Sequence, residues 1–164
     1  MIIGEGPGYY EDQQGKPFVG KSGQLLNQML AAIGLDRQHD VYIANIVKCR
    51  PPDNRKPTPE EMQACFPYLK AQIEALQPWI LILTGATALQ GITGTKKPIT
   101  RCRGNWFIWN DLGFDTACIP IFHPAYLLRN PERTPNSPKG LTWKDLKSIA
   151  RRYAALRAEN PSTL

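Results

Sequence analysis

Three short apolar segments rich in β-branched residues constrain the fold of this chain most strongly. They are VYIANIV at residues 41–47, WILILT at 79–84 and ACIPIF at 117–122, and glycine, proline or polar residues follow each of them. Short continuous apolar runs of this kind are typical of strands buried on both faces of a parallel sheet. Segments with helical periodicity lie between them, so the sequence predicts strands that alternate with helices.

The helical segments carry start and stop signals. Thr58 and Glu61 form a capping box with Pro59 at the first helical position, which predicts a helix that ends near Leu76. A last helix is predicted to start near Thr142. The apolar faces consist of Leu25, Leu26, Met29, Leu30 and Ile33, followed by Gly34, in an early helix, and of Leu146, Ile149, Tyr153 and Leu156 in the last one.

Together these elements predict an α/β fold, a three-layer α/β/α sandwich with a central, mostly parallel four-stranded sheet. The segment WFIWN at residues 106–110 is a candidate for an extra edge strand. The first strand, MII, reaches Gly4 after three residues, whereas strands usually have about five or six. Two explanations are open: the strand is short, or the chain has lost its beginning.

Length and composition limit the class of protein. A chain of 164 residues with 42% hydrophobic content can bury one sizeable core, so we expect a single domain over residues 1–164 and, by default, a monomer. The sequence contains no apolar run of about 18 residues and no signal peptide, so we expect a cytoplasmic protein without a membrane span. There, the four cysteines are expected to be thiols or metal ligands rather than disulfides.

The positive charge is concentrated at the C-terminal end. From Arg129 onward there are eight Lys or Arg against three Asp or Glu, whereas the preceding residues carry 12 against 11. A basic stretch of this kind can steer a domain to a polyanion such as nucleic acid, although a basic helix face is often only solvated.

Residues 15–22, GKPFVGKS, match the pattern of a phosphate-binding loop. A working loop follows a buried strand directly, but Gly15 follows the polar segment YYEDQQ. None of the later predicted strands ends in an Asp that could hold magnesium. A nucleotide-binding protein therefore stays a weak alternative, supported only by Lys21.

In parallel sheets, ligands bind beyond the carboxyl ends of the strands. The residues there include Glu5 within a glycine-rich turn, Asn45 before Lys48-Cys49-Arg50-Pro51-Pro52, and His123 at the start of HPAYLLR. The other histidine, His39, lies in a polar turn, and these strand-end segments contain no Ser-His-Asp order. Metal-dependent hydrolysis and acyl transfer are therefore poorly supported.

Four segments in register resemble the family-four, iron–sulfur type of uracil-DNA glycosylases. They are GEGPGYYED at residues 4–12, GKPFVGKSGQLL at 15–26, ANIVKCRPP at 44–52 and HPAYLLR at 123–129. The resemblance covers nearly the whole chain. It implies a DNA repair enzyme that flips uracil out of DNA and hydrolyses its N-glycosidic bond, with uracil-containing DNA as its partner.

The resemblance assigns roles to the residues that meet the base. Phe18 stacks on the flipped uracil, and Asn45 hydrogen-bonds the base edge that distinguishes uracil from cytosine. His123 donates a hydrogen bond to the uracil oxygen that gains charge as the bond breaks. Gly6 and Gly8 let the backbone approach the base and sugar closely.

Further residues take less direct roles by the same resemblance. Glu5 places or polarises the attacking water, and Glu11 matches the family's carboxylate without a derivable role. Leu127 is the wedge that enters the base stack, against the alternative of a core leucine at the start of a helix. The phosphate contacts fall to Arg129, Arg133 and Lys139, which makes binding weaken as salt rises.

The family holds a 4Fe-4S cluster on four cysteines, and this chain matches the last two as Cys49 and Cys65. The upstream Cys-x-x-Cys pair is absent, and Cys102 and Cys118 are poor substitutes. We therefore expect an N-terminally truncated chain with an incomplete or absent cluster. A non-catalytic DNA-binding relic of the same fold is the main alternative to an active enzyme.

Overall fold

The protein is described by a computed structural model over residues 1–161, and residues 162–164 of the predicted domain lie outside this range. Its sheet has five strands in the order β2-β1-β3-β5-β4. Four strands are parallel, and β4 runs antiparallel to β5. The strands are β1 (Ile2–Gly4), β2 (Ile43–Asn45), β3 (Ile80–Thr84), β4 (Phe107–Trp109) and β5 (Thr116–Ile121).

The predicted α/β class and the mostly parallel sheet are confirmed, but the predicted count of four strands is one too low. The fifth strand is β4, the candidate edge strand of the sequence, which pairs only with β5 on one side. Its side chains alternate as an edge strand allows, since Trp109 is buried and Ile108 is 55% exposed.

The first strand is short and yet central. Ile2 pairs with Ile43 of β2 and with Ile82 of β3, and β1 is paired along all three residues with β2 and along its first two with β3. Beyond β1 the ladder to β2 continues outside the regular strands, because Ile46 and Val47 donate to the carbonyls of Gly4 and Glu5. This pairing fixes the turn after β1.

Seven α-helices and one short 3-10 helix occur within residues 1–161. The helices are α1 (Tyr9–Gln14), α2 (Lys21–Ala32), α3 (Pro59–Leu76), α4 (Ala86–Thr93), α5 (Ile99–Cys102), α6 (Pro124–Arg129) and α7 (Pro138–Glu159), and the 3-10 helix is Pro52–Asn54. The capping box predicted for α3 is present, with Thr58 Oγ1 accepting from the Glu61 N–H at 3.2 Å.

The start of α7 was predicted too late. Ser137 caps it by accepting from the Gly140 N–H at 3.2 Å, and Pro138 occupies the first helical position. Thr142, the predicted start, lies inside the helix and donates to the Pro138 carbonyl at 2.8 Å. The sequence signal for the true start was the Ser-Pro pair four residues earlier.

Hydrophobic clusters cover both faces of the sheet because successive strand residues point to opposite sides. On one face, Ile80 and Ile82 pack with buried residues of α2, α6 and α7. On the other face, Leu81 and Leu83 pack with buried residues of α3 and α4. This two-sided burial explains why the strands read as continuous apolar runs.

A buried ion pair holds α7 to the rest of the fold. Arg103, just after α5, forms a two-pronged contact with Asp145 of α7, and Asp145 is 3% exposed. Burial raises the pKa of Asp145, and the hydrogen bond and charge of Arg103 oppose that rise.

The parallel strands β1, β2, β3 and β5 end at one edge of the sheet, where Gly4, Asn45, Thr84 and Ile121 lie. The turns that follow these residues form the site described next. Within residues 1–161, no helix is both long and apolar enough to cross a membrane.

Candidate active site

A cavity of about 550 Å³ lies at the carboxyl edge of the sheet. Its walls are the turns after β1, β3 and β5, together with the loop before α2 and the segment around the 3-10 helix. Seven residues singled out in the sequence line it, namely Glu5, Gly6, Gly8, Glu11, Phe18, His123 and Arg129. Residues more than 100 positions apart in the chain are thus brought to one cavity.

A backbone hydrogen bond fixes which ring nitrogen of His123 carries the proton. It occupies the N-cap of α6, and its Nδ1 accepts a hydrogen bond from the Ala125 backbone N–H at 3.0 Å. Because Nδ1 is an acceptor, the neutral ring carries its proton on Nε2. Burial lowers the pKa of His123; the negative charge of Glu5 opposes that shift and Arg129 adds to it. His123 is therefore a neutral imidazole with an Nε2–H donor.

Phe18 lies directly against this histidine. The two rings are stacked, with centroids 5.5 Å apart and an interplanar angle of 27°. Phe18 is 5% exposed and has a φ of 52°, which is rare for a residue other than glycine. Its ring also packs on the backbone of Gly4, where an added Cβ would lie 2.4 Å from Phe18 Cε2.

Glu5 follows β1 and is oriented by a residue that the sequence analysis missed. Its Oε2 accepts a short hydrogen bond from Thr87 Oγ1. Thr87 lies in the first turn of α4, is 4% exposed and lines the same cavity. The available sequence signal was its place three residues after the end of β3, at the edge where ligands bind.

Asn45 ends β2 beside Phe18. An added Cβ at Gly4 would lie 2.5 Å from Asn45 Oδ1, so the amide and the Phe18 ring flank the same backbone. Asn45 borders an adjoining cavity of about 330 Å³ that shares Pro7 and Glu11 with the first. Its Oδ1 is buried and has no hydrogen-bond partner among the described residues. A buried polar group of this kind is available to a ligand.

Glu11 lines the cavity, and its carboxylate also accepts hydrogen bonds from backbone N–H groups. Its Oε1 accepts from the N–H groups of Val19 and Gly20 at 3.0 Å each, and its Oε2 accepts from the Gly8 N–H at 3.1 Å. Burial would raise the pKa of Glu11, but these backbone hydrogen bonds outweigh it and lower the pKa.

The position of Glu11 bears directly on the phosphate-loop alternative. In a phosphate-binding loop, backbone N–H groups are directed at the ligand. In this protein the N–H groups of Val19 and Gly20 already bind a carboxylate of the chain itself. Helix α1, rather than a strand, precedes the loop. These observations disfavour nucleotide binding at residues 15–22.

The structure favours the core alternative for Leu127. Its side chain is 2% exposed and packs in the core with residues of α2, so in this conformation it cannot enter a base stack. The neighbouring Leu128 is 42% exposed. In so short a helix, docking against α2 decides which leucine faces inward, and this was not readable from the sequence.

The predicted basic residues divide between two places. Arg129 lines the main cavity, whereas Arg133 and Lys139 line a separate cavity of about 340 Å³ between α2 and α7. The sequence analysis missed two basic residues of the main cavity, Arg55 and Lys56, which follow the 3-10 helix. Arg55 forms an ion pair with Glu61.

The cysteines form no complete metal site. Cys49 is exposed, and the Sγ of the half-buried Cys65 accepts from the Lys48 N–H at 3.5 Å. Burial raises the pKa of Cys118, inside β5, to about 12. Residues 1–161 contain no group of three or more His, Cys, Asp or Glu placed to hold a metal ion. Two matching thiols do not fit a four-cysteine cluster.

The chain is similar in sequence to proteins of a known family. The family model described as the uracil DNA glycosylase superfamily matches residues 1–147. The chain is 53% identical over 131 residues to a type-4 uracil-DNA glycosylase of Thermotoga maritima, covering 79% of this chain and 66% of that protein. It is 44% identical over 136 residues to the type-4 uracil-DNA glycosylase of Archaeoglobus fulgidus, covering 80% of this chain and 68% of that protein.

A third relative, the type-4 uracil-DNA glycosylase of Saccharolobus solfataricus, is 44% identical over 136 residues, which cover 80% of this chain and 62% of that protein. The chain therefore spans about two thirds of the length of these curated relatives.

Proposed function

The chain belongs to the uracil DNA glycosylase superfamily, and from this premise we propose that it excises uracil from DNA by hydrolysing the N-glycosidic bond and leaving an abasic site. The observation that carries the proposal is the neutral His123, whose Nδ1 is engaged by the Ala125 N–H and whose Nε2–H is the remaining donor. The type-4 uracil-DNA glycosylases among its relatives support the same activity.

The reaction requires a donor that acts when charge develops. As the bond to deoxyribose breaks, the base becomes anionic and the sugar cationic, and a donor to the uracil oxygen is then worth more than in the bound substrate. A neutral imidazole can make this bond through Nε2–H without first having to lose or gain a proton. We assign this role to His123.

Recognition of the base falls to Phe18 and Asn45. The buried Phe18 beside His123 offers an aromatic face on which a flipped base can stack. The unpartnered amide oxygen of Asn45 can accept from the N–H of a pyrimidine edge, while its amino group can donate to the adjacent carbonyl. A cytosine edge presents a different pattern of donors and acceptors, so the amide favours uracil.

Glu5 is assigned to the attacking water and the cationic sugar. Thr87 donates to one of its carboxylate oxygens, which orients the group and leaves the other oxygen for a water molecule. Its negative charge also lies close enough to His123 to act on the pKa of that ring. Gly6 and Gly8, in the same turn, line the cavity. An added Cβ would lie 2.6 Å from Val47 Cγ2 at Gly6 and 2.9 Å from Glu11 Oε2 at Gly8, so packing of the chain itself already requires glycine at both positions.

DNA contacts extend outward from the cavity. We assign the wedge to Leu128, because it is exposed and precedes the cavity-lining Arg129 in α6, whereas Leu127 is buried. Arg129 and Lys56 line the cavity, and we assign phosphate contacts to them. We assign further phosphate contacts to Arg133 and Lys139, which line the separate cavity between α2 and α7.

We also propose that the 164-residue chain does not retain a 4Fe-4S cluster, because only Cys49 and Cys65 match the expected ligands. Iron and acid-labile sulfide analysis of the purified protein tests this. A stoichiometry near zero supports the proposal, and about four irons per chain would contradict it.

Uracil excision itself is tested with labelled oligonucleotides that carry one uracil, with thymine and cytosine oligonucleotides as controls. Alkali cleaves the strand wherever a base has been removed. We expect cleavage of the uracil strand alone. A folded protein that binds the oligonucleotide without producing alkali-labile sites would overturn the proposal and indicate a DNA-binding relic.

A further inference from the structure

Two charged side chains bind the backbone of residues 17–20, which we call the aromatic loop because it carries Phe18. The guanidinium of Arg37 donates short hydrogen bonds to the carbonyls of Pro17 and Phe18. The carboxylate of Glu11 accepts from the N–H groups of Val19 and Gly20. Four consecutive residues thus have a backbone group bound by a charged side chain.

The aromatic loop needs such support because its conformation is costly. Phe18 adopts a φ of 52°, a left-handed conformation that a bulky residue disfavours and that persists only where the surroundings enforce it. In this conformation its ring stacks on His123. Relaxation of φ would move the ring away from the histidine and out of the cavity.

Arg37 is well placed to enforce this conformation without touching the substrate. It lies in the connection between α2 and β2, and Nη1 also donates to Asn27 Oδ1 of α2 at 3.1 Å. Its planar fork presents two N–H groups to the two carbonyls in one fixed geometry, which the flexible point charge of a lysine does not reproduce. Burial lowers the pKa of Arg37, and the nearby charge of Glu11 opposes that shift. The two clamping groups are thus also electrostatically coupled.

We propose that Arg37 is a positioning residue of the site, which together with Glu11 clamps the aromatic loop so that Phe18 stays stacked on His123. The proposal rests on the proposed uracil excision, and it assigns Arg37 an effect on catalysis through Phe18 alone. Arg37 was not recognised in the sequence because it lies 19 residues after the aromatic ring that it holds.

A double-mutant cycle tests this coupling. We expect Arg37→Ala to lower kcat/KM for uracil excision about tenfold or more, with KM affected more than kcat, because base stacking acts in the bound state as well as the transition state. In a Phe18→Ala background, Arg37→Ala should cost less than about threefold further. Losses that multiply fully would overturn the proposal.

Two further variants separate positioning from general damage. Arg37→Lys keeps the charge but loses the fork, so we expect it to restore only part of the lost kcat/KM. Arg101→Ala is the matched control, since this arginine of α5 is exposed, precedes the basic C-terminal stretch and lines none of the cavities described above. It should leave kcat/KM unchanged, and an equal loss in both alanine variants would overturn the proposal.

An NMR comparison tests the clamp without relying on activity. The protein has two histidines, and the side chain of His39 is 82% exposed, so the ring protons of His123 can be assigned with a His123→Gln variant. The stacked Phe18 should shift them upfield, and Arg37→Ala should remove most of that shift. An unchanged shift would overturn the clamp. If the wild-type protein excises no uracil, the proposed function fails, and this comparison still decides the clamp.

Discussion

The Phe18 ring stacks on the His123 ring with centroids 5.5 Å apart, although 105 positions separate the two residues in the chain. The contact joins the loop before α2 to the N-cap of α6, two elements on the same face of the sheet. It places an aromatic surface and a neutral hydrogen-bond donor side by side. A planar base with an oxygen at its edge is the kind of ligand that this pair fits.

Replacement of His123 tests the donor role. We expect His123→Ala to lower kcat about a hundredfold to a thousandfold, the usual cost of losing one donor to a developing oxyanion. Substrate affinity should change far less, because the bond strengthens mainly in the transition state. Single-turnover excision measures the effect, and a loss below about threefold would refute the assignment. Circular dichroism of the variant controls for folding.

The pH dependence follows from the direction of the His123 shift. Its pKa in the folded protein lies below the ordinary value, so the ring stays neutral as pH falls past 6.5 and becomes protonated only at lower pH. Protonation at Nδ1 would break the bond from the Ala125 N–H. We expect kcat to stay constant as the pH is lowered to 6.5 and to decrease at lower pH.

The same shift affects stability. Below pH 6.5 the unfolded chain binds a proton at this histidine before the folded protein does, so the free energy of unfolding should decrease as pH falls through that window. A rate profile between about pH 5 and 8, with an NMR titration of the His123 ring, checks both statements. A kcat midpoint at or above 6.5 would contradict the neutral histidine.

The close approach at Gly4 offers a test of the base-binding geometry. A Cβ at this position would lie 2.4 Å from Phe18 Cε2 and 2.5 Å from Asn45 Oδ1, so Gly4→Ala must displace both groups. We expect at least a tenfold loss of kcat/KM, as small misplacements of binding groups are costly. Gly15→Ala is the control for activity, because no atom lies within 4 Å of its added Cβ, although its φ of 67° adds backbone strain. Equal kcat/KM values for Gly4→Ala and wild type would show that excision does not depend on the spacing between Phe18 and Asn45.

Much of this site was predictable because its parts lie where parallel strands end. Glu5 and His123 follow β1 and β5, Asn45 ends β2, and the topology brings these strand ends to one edge. Thr87 and Arg37 were missed since each acts through a contact that only the tertiary fold creates. The burial of Leu127 and exposure of Leu128 depend on how α6 docks against α2, which local sequence does not specify.

The buried pair of Arg103 and Asp145 is expected to affect the stability of the fold and not catalysis. Arg103→Met leaves the Asp145 carboxylate, 3% exposed, without its partner, which should lower the free energy of unfolding by about 3 to 5 kcal/mol. Urea denaturation measures this. The double variant Arg103→Met/Asp145→Leu should recover most of the loss, because it removes the unpaired charge. A loss below about 1 kcal/mol in the single variant would mean that the carboxylate becomes solvated or protonated instead.

Leu127 and Leu128 are adjacent leucines whose alanine variants distinguish a core position from the proposed wedge position. Leu127→Ala removes a side chain that is 2% exposed, so it should cost about 2 to 5 kcal/mol in the free energy of unfolding. Leu128→Ala, at a position that is 42% exposed, should change stability by only about 0.5 kcal/mol. Its effect should appear in excision from duplex DNA, where kcat/KM should fall about tenfold more than on single-stranded DNA, because only the duplex has a stack to fill. Equal losses on both substrates would show that Leu128 contributes to DNA binding in general and that a different side chain enters the stack.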